Sequence, residues 1–158
     1  MTTIFPGRYT AKTDKPFVVF LIGMRINRVW AIHQWLPVAR AMIPMLTTLY
    51  RHPEKGFLGG YTTLGRGGPV SVQFWRSFED LERFAHNPSD PHLPAWRQFA
   101  KALAGKGSVG IWHETYQVQP GQFEALYSGM PRFGLGEAIE HTPIEGKTDT
   151  ARGRIEAR

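Results

Sequence analysis

A chain of 158 residues with 42% apolar content is long enough for one domain with its own core. It contains no cysteine, which excludes disulfides, thiolate metal centres and cysteine nucleophiles. The formal charge is +6, but Lys and Arg form no run and no basic helical stripe, so a mildly basic surface is expected and no nucleic-acid partner.

Residues 1–15, MTTIFPGRYTAKTDK, are polar and broken by Pro6 and Gly7. They read as an N-terminal arm without signal-peptide character. PFVVFLIGMRI (16–26) is β-branched and aromatic and predicts a central strand. Its apolar run, 17–24, is far too short to span a bilayer, so no membrane partner and a cytoplasmic location are expected. Residues 28–51 carry Trp30, Ile32, Leu36, Ala39, Ile43 and Leu46 at helical spacing. Pro37 and Pro44 are predicted to kink or divide that helix, because each removes a backbone donor.

FLGGYTTLG (57–65) predicts a second strand, with a bulge at its glycines. PVSVQFWR (69–76) is a third, with Val70, Val72 and Phe74 on one face and Ser71, Gln73 and Trp75 on the other. A helix starts at Ser77, a capping residue with Asp80 three positions on. A further helix is predicted over 92–105, and GSVGIWHETYQV (107–118) is the fourth strand.

The order β, α, β, β, α, β is the split βαβ pattern of an α+β, ferredoxin-like domain, spanning 16–144. Helices on one face leave the other face of such a sheet uncovered. A second copy of the chain closes it most simply, making a homodimeric α/β barrel. Residues 119–144 are too apolar for a random tail and are expected to fold back over the domain or its partner. Residues 145–158 read as a mobile polar tail.

FWRSFEDLERFA (74–85), HLPAW (92–96), GIWHETY (110–116) and EALYSGMPRFGL (124–135) together resemble the small proteins named after a monooxygenase of fumagillin biosynthesis. The similarity covers about residues 15–145. It implies a dimeric α/β barrel like that of small antibiotic-biosynthesis monooxygenases. It also implies oxygenase-type chemistry in secondary metabolism. The barrel group includes enzymes that oxidise polyketide quinones without metal or flavin. It also includes aldoxime dehydratases and chlorite dismutase-like proteins, which hold heme through a helix histidine. Fold alone does not choose between them.

His113 and Glu114 are the first candidates for catalysis. Neighbours on a strand point to opposite faces, so Ile111, His113 and Thr115 share one and Trp112, Glu114 and Tyr116 the other. A buried Glu114 needs donors or a proton, and in an apolar pocket it can move one. Alternatively it bonds backbone amides or pairs with Arg76 or Arg97. Tyr116 is a third catalytic candidate, and Trp75, Trp96 and Tyr127 are candidates for holding a planar substrate. All of these are equally at home in a barrel core. His92, at a helix start beside Leu93 and Trp96, is a candidate heme ligand or a helix-end residue bonded to Asp90.

No HExxH, GxSxG or strand-following GxGxxG occurs. The expectation is a small-molecule oxidoreductase, monooxygenase-like and needing no cofactor, acting on an apolar or aromatic metabolite. The alternatives are a heme enzyme of the aldoxime-dehydratase type using His92, and a non-catalytic carrier of heme or a hydrophobic ligand.

Overall fold

The computed structural model describes residues 3–90, 97, 99 and 107–157. The larger of two antiparallel sheets contains β2 (Phe17–Ile26), β3 (Phe57–Gly65), β4 (Gly68–Trp75) and β5 (Val109–Val118) in the order β3-β4-β2-β5. Helix α1 (Ile32–Arg51) joins β2 to β3, and α2 (Phe78–His86) follows β4. The first strand of each βαβ half lies in the centre and the second at an edge. That is the ferredoxin-like order, so the α+β fold expected from the sequence is the fold observed.

The core follows from period-two alternation on the strands. Val18 of β2, Phe57 of β3 and Trp75 of β4 turn to one side, where they bury with Leu49 of α1 and Leu81 and Phe84 of α2. Met24 and Val109 continue that face, packed by Trp35, Val38 and Ala39 of α1. Helix α1 starts later than the spacing predicts, because 27–31 form a turn pinned by the Trp35 indole donating to the Val29 carbonyl at 3.0 Å. It also runs as a single element through Pro37 and Pro44, so the expected division is corrected. Met45 and Leu49 are buried, and that packing outweighs the two missing donors.

A one-turn 3-10 helix, Pro53–Lys55, ends at Gly56, whose φ of 90° is left-handed. A side chain there would also collide with Asp80, so glycine is required twice over. Ser77 caps α2 by accepting from the Asp80 amide at 3.2 Å. The Asp80 carboxylate is buried and accepts from Arg76 Nε and Arg83 Nη1, each at 2.7 Å. The bond from Arg76 leads in holding its pKa below the ordinary carboxylate range. A depressed folded pKa means stability that is fully present above about pH 4 and lost as pH falls through the folded value. Asp80→Asn is expected to flatten that acid limb and to cost roughly 1 kcal/mol at neutral pH, because both guanidinium partners stand largely in solvent. Urea midpoints measured across the acid range check this.

The smaller sheet was not legible beforehand. It contains β1 (Phe5–Lys12), β6 (Tyr127–Met130) and β7 (Glu140–Pro143), in the order β6-β1-β7. Residues 1–15, read as an arm, therefore contribute a central strand. His141 of β7 ties this sheet together, stacked on Tyr9 at 4.6 Å and edge-on to Phe5 at 5.1 Å. Burial, with help from Arg132, pushes its pKa down. Residues 145–158, read as a mobile tail, form a 3-10 turn, Gly146–Asp149, and a helix, Ala151–Glu156. Two ion pairs hold them: Arg8 with Asp149, and Arg154 with Glu124.

The segment after β5 folds back, as its composition suggested. Phe123 meets Phe17 edge-on at 5.1 Å, and Phe133 meets Tyr61 at 4.5 Å. The helical turn Leu135–Ala138 places Ala138 against Gly59. The Phe133 and Ala138 contacts cover the β3 margin of the sheet face that the helices leave open.

Candidate active site

Strand β5 pairs with β2 along its whole length. Val19 lies opposite Tyr116, Leu21 opposite Glu114 and Gly23 opposite Trp112. Opposed residues share a face. On β4 the same rows continue as Phe74, Val72 and Val70, and Val72 leads on to Tyr61 of β3. The helices cover the other side, so this row is the open face of the sheet.

Its centre is apolar and half-buried: Val19, Leu21, Val70 and Val72. One wall is Trp112, Glu114 and Tyr116 on β5; the other is Tyr61 with Phe133 resting on it. Gly23 is small for a local reason. A Cβ there would lie 2.6 Å from the Trp112 indole, which occupies that space instead.

Thr63, opposite Val70, and Arg25, opposite Gly110, put polar groups toward one end of the face, and Glu114 and Tyr116 are joined by one bond. The Tyr116 hydroxyl donates to Glu114 Oε2 at 2.6 Å, as residues two apart on a strand can. That bond is the leading cause of the raised Tyr116 pKa, because it favours the protonated phenol. Glu114 thus bonds Tyr116 rather than Arg76, which is held by Asp80. In the protomer Glu114 is exposed on this open face.

The other expected residues are scattered. His113 points to the helix side of the sheet, 5.7 Å from Phe20, and so is separated by the strand from Glu114 and Tyr116. Trp75 has no exposed surface. Its indole donates to Gln73 Oε1 at 3.1 Å and packs against Phe57 and Phe84. The substrate-holding role is corrected for Trp75, since it offers a ligand nothing to touch. Tyr127 lies on β6, its hydroxyl accepting from the Gly136 amide at 2.9 Å, and burial raises its pKa. Trp96 and His92, the expected heme ligand, lie outside the described residues.

Sequence reasoning missed Tyr61 and Phe133. The alternation of 57–65 puts Tyr61 on the face of Val72, but only the fold-back of 119–139 brings Phe133 to it. Among the described residues, no group of three His, Asp or Glu side chains is placed to hold a metal ion, and no helix is long and apolar enough to cross a membrane.

Residues 17–135, which hold the whole ferredoxin-like sheet, match the Monooxygenase af470-like family. The chain belongs to that family. Monooxygenase af470 of Aspergillus fumigatus is 27% identical over 147 residues, covering 85% of this chain and 52% of the fungal protein. The chain thus spans about half the length of the curated relative it matches. Solved structures similar to this family member have low identity. The cofactor-independent oxygenase SnoaB from Streptomyces nogalater is 16% identical, over 65% of this chain and 93% of that one, with a TM-score of 0.42. A hydroxynitrile lyase from Passiflora edulis is 12% identical, over 68% and 96%, at 0.46. A dimeric protein of unknown function and ferredoxin-like fold from Bacteroides fragilis is 12% identical, over 65% and 96%, at 0.42.

Proposed function

We propose that this chain is an oxygenase acting on a small apolar or aromatic metabolite, with Glu114 as base and Tyr116 as its hydrogen-bonding partner. The observation that carries this is the 2.6 Å bond between the two beside the apolar centre of the sheet face. A carboxylate held by a phenol beside Trp112, Leu21 and Val72 suits an oxidisable phenol or hydroquinone, whose ring the apolar floor accepts. Family membership supports the oxygenase class.

In this reading Glu114 takes a proton from the substrate hydroxyl and leaves an electron-rich carbanion equivalent. That species reduces dioxygen directly. One oxygen atom forms a new carbonyl on the ring and the other leaves as water, with both reducing equivalents drawn from the substrate. Tyr116 returns a hydrogen bond to the developing oxyanion. No added reductant is required.

A second copy of the chain closes the open face and removes water from it. The half-buried Val19, Leu21, Val70 and Val72, with the more exposed Trp112 and Tyr116 beside them, make a surface that a stable protomer rarely leaves bare. Light scattering is expected to give twice the 17.9 kDa protomer mass. An oxygen electrode with a panel of phenols unsubstituted at the para carbon is expected to show uptake of one dioxygen per quinone formed, with no hydrogen peroxide released and without flavin, metal or nicotinamide. A strict monomer, or no uptake across the panel, overturns this function.

A further inference from the structure

We infer that the end of the large sheet bearing the 27–31 turn docks on the surface of an anionic phospholipid bilayer. This is independent of the proposed oxygenase activity. Nothing in it spans a membrane; it concerns a surface.

Three segments meet at that end. The Ile26 amide donates to Gly67 O at 2.7 Å, which ties β2 to the β3–β4 turn. The amides of Asn27 and Arg28 both donate to Ser108 O, at 3.0 and 3.2 Å, which ties the turn to the start of β5. The apolar side chains here point outward. Leu64 is 85% exposed, Trp30 76%, Val29 67% and Ile32 52%. They are not on a loose loop. The Trp35 indole grips Val29 O, and the Ala31 amide donates to Arg28 O at 3.1 Å. Folding has therefore fixed Trp30 in solvent while Trp35 packs on the core.

The charge around this cluster is of one sign. Arg25, Arg28 and Arg66 are exposed at the same end, and among the described residues none forms an ion pair. Residues 15–78 contain Lys15, Arg25, Arg28, Arg40, Arg51, Lys55, Arg66 and Arg76 against a single carboxylate, Glu54. Glu54 lies beyond the far end of α1, about 30 Å of helix away. Residues 91–108 add no carboxylate to the sequence. Of these cations Arg25, Arg28 and Arg66 lie at this end, whereas Lys15, Arg51, Lys55 and Arg76 lie at the far end, where Lys55 pairs with Asp90 and Arg76 with Asp80.

A protruding indole with aliphatic neighbours, ringed by uncompensated guanidiniums, fits the headgroup layer of an acidic leaflet. Tryptophan settles at that depth, aliphatic groups enter the acyl boundary, and arginines meet the anionic headgroups. A nucleic acid would use the arginines but leave Val29, Ile32 and Leu64 without purpose. The patch lies at the strand ends, so a subunit on the open sheet face leaves it accessible.

Flotation of the full chain with vesicles tests this. Wild type is expected to float with phosphatidylcholine–phosphatidylserine vesicles, to stay behind with pure phosphatidylcholine, and to release as salt rises. Arg28→Gln with Arg66→Gln is expected to weaken recovery about fivefold for each arginine lost. Trp30→Ser is expected to weaken it while leaving the thermal midpoint little changed, since Trp30 is 76% exposed. Equal flotation with both lipids, no flotation with either, or variants that float like wild type overturn the assignment. So does a Trp30→Ser variant that changes only the association state of the protein, which would make the patch a contact between copies.

Discussion

Glu114→Gln is expected to lower turnover of an oxidisable phenol by about a hundredfold or more, with the fold's stability unchanged. The substitution is nearly isosteric. It removes the basic oxygen but keeps an acceptor for the Tyr116 hydroxyl. Glu114 is exposed in the protomer and forms no ion pair among the described residues, so no cation is orphaned by the change. A loss confined to kcat, with KM held, marks an interaction made only in the transition state. A second readout is independent of any substrate. The Tyr116 pKa is raised first of all by its bond to Glu114 and then by that charge. In Glu114→Gln the phenol is expected to ionise at lower pH, back toward its ordinary value near 10, in an ultraviolet difference titration. Tyr116→Phe is expected to give a smaller loss of turnover and to delete that titration. Full activity in Glu114→Gln would remove the carboxylate from the chemistry.

Trp75→Ala is expected to cost about 3–5 kcal/mol, which in a domain of this size is a large part of the total. The indole is completely buried between Phe57, Phe84 and Leu49, where α1 and α2 both cross the sheet. Truncation leaves a cavity beneath two helices. It also strips the donor from Gln73 Oε1, itself buried. Trp75→Phe restores the ring volume but not the donor, so it is expected to recover most of the loss. Urea unfolding of the three proteins separates the two contributions. A cost under about 1 kcal/mol for Trp75→Ala would show that the centre of the fold lies elsewhere.

The sequence announced the large sheet because each of its signals is local. Alternation in PVSVQFWR and the Ser77 cap act within a few residues of themselves, and the strand order then follows from short connections. The small sheet carries no such signal. Tyr9 pairs with Tyr127 and Pro143, more than a hundred residues away, and Pro6 and Gly7 hide the alternation of FPGRYTAK. The polar C-terminal stretch is ordered by ion pairs to Arg8 and Glu124, and long-range charge pairing leaves no periodicity to read.

The site was half legible for the same reason. Strand alternation alone separated His113 from Glu114 and joined Glu114 to Tyr116, and the pairing with β2 agrees. Alternation also grouped Trp75 with Ser71 and Gln73. It could not say that this face lies under the helices, because that depends on which side α1 and α2 fall.

β6 and β7 do not pair with each other; both pair with β1. The opening dozen residues are therefore the keystone of the far end of the polypeptide. Shortening the chain at its beginning strips two strands of their ladder at once and frees the Arg8 tether on Asp149. The shield over Gly59 and Tyr61 is then expected to loosen, so a truncation chosen to trim a dispensable leader would surface as damage beside the open sheet face.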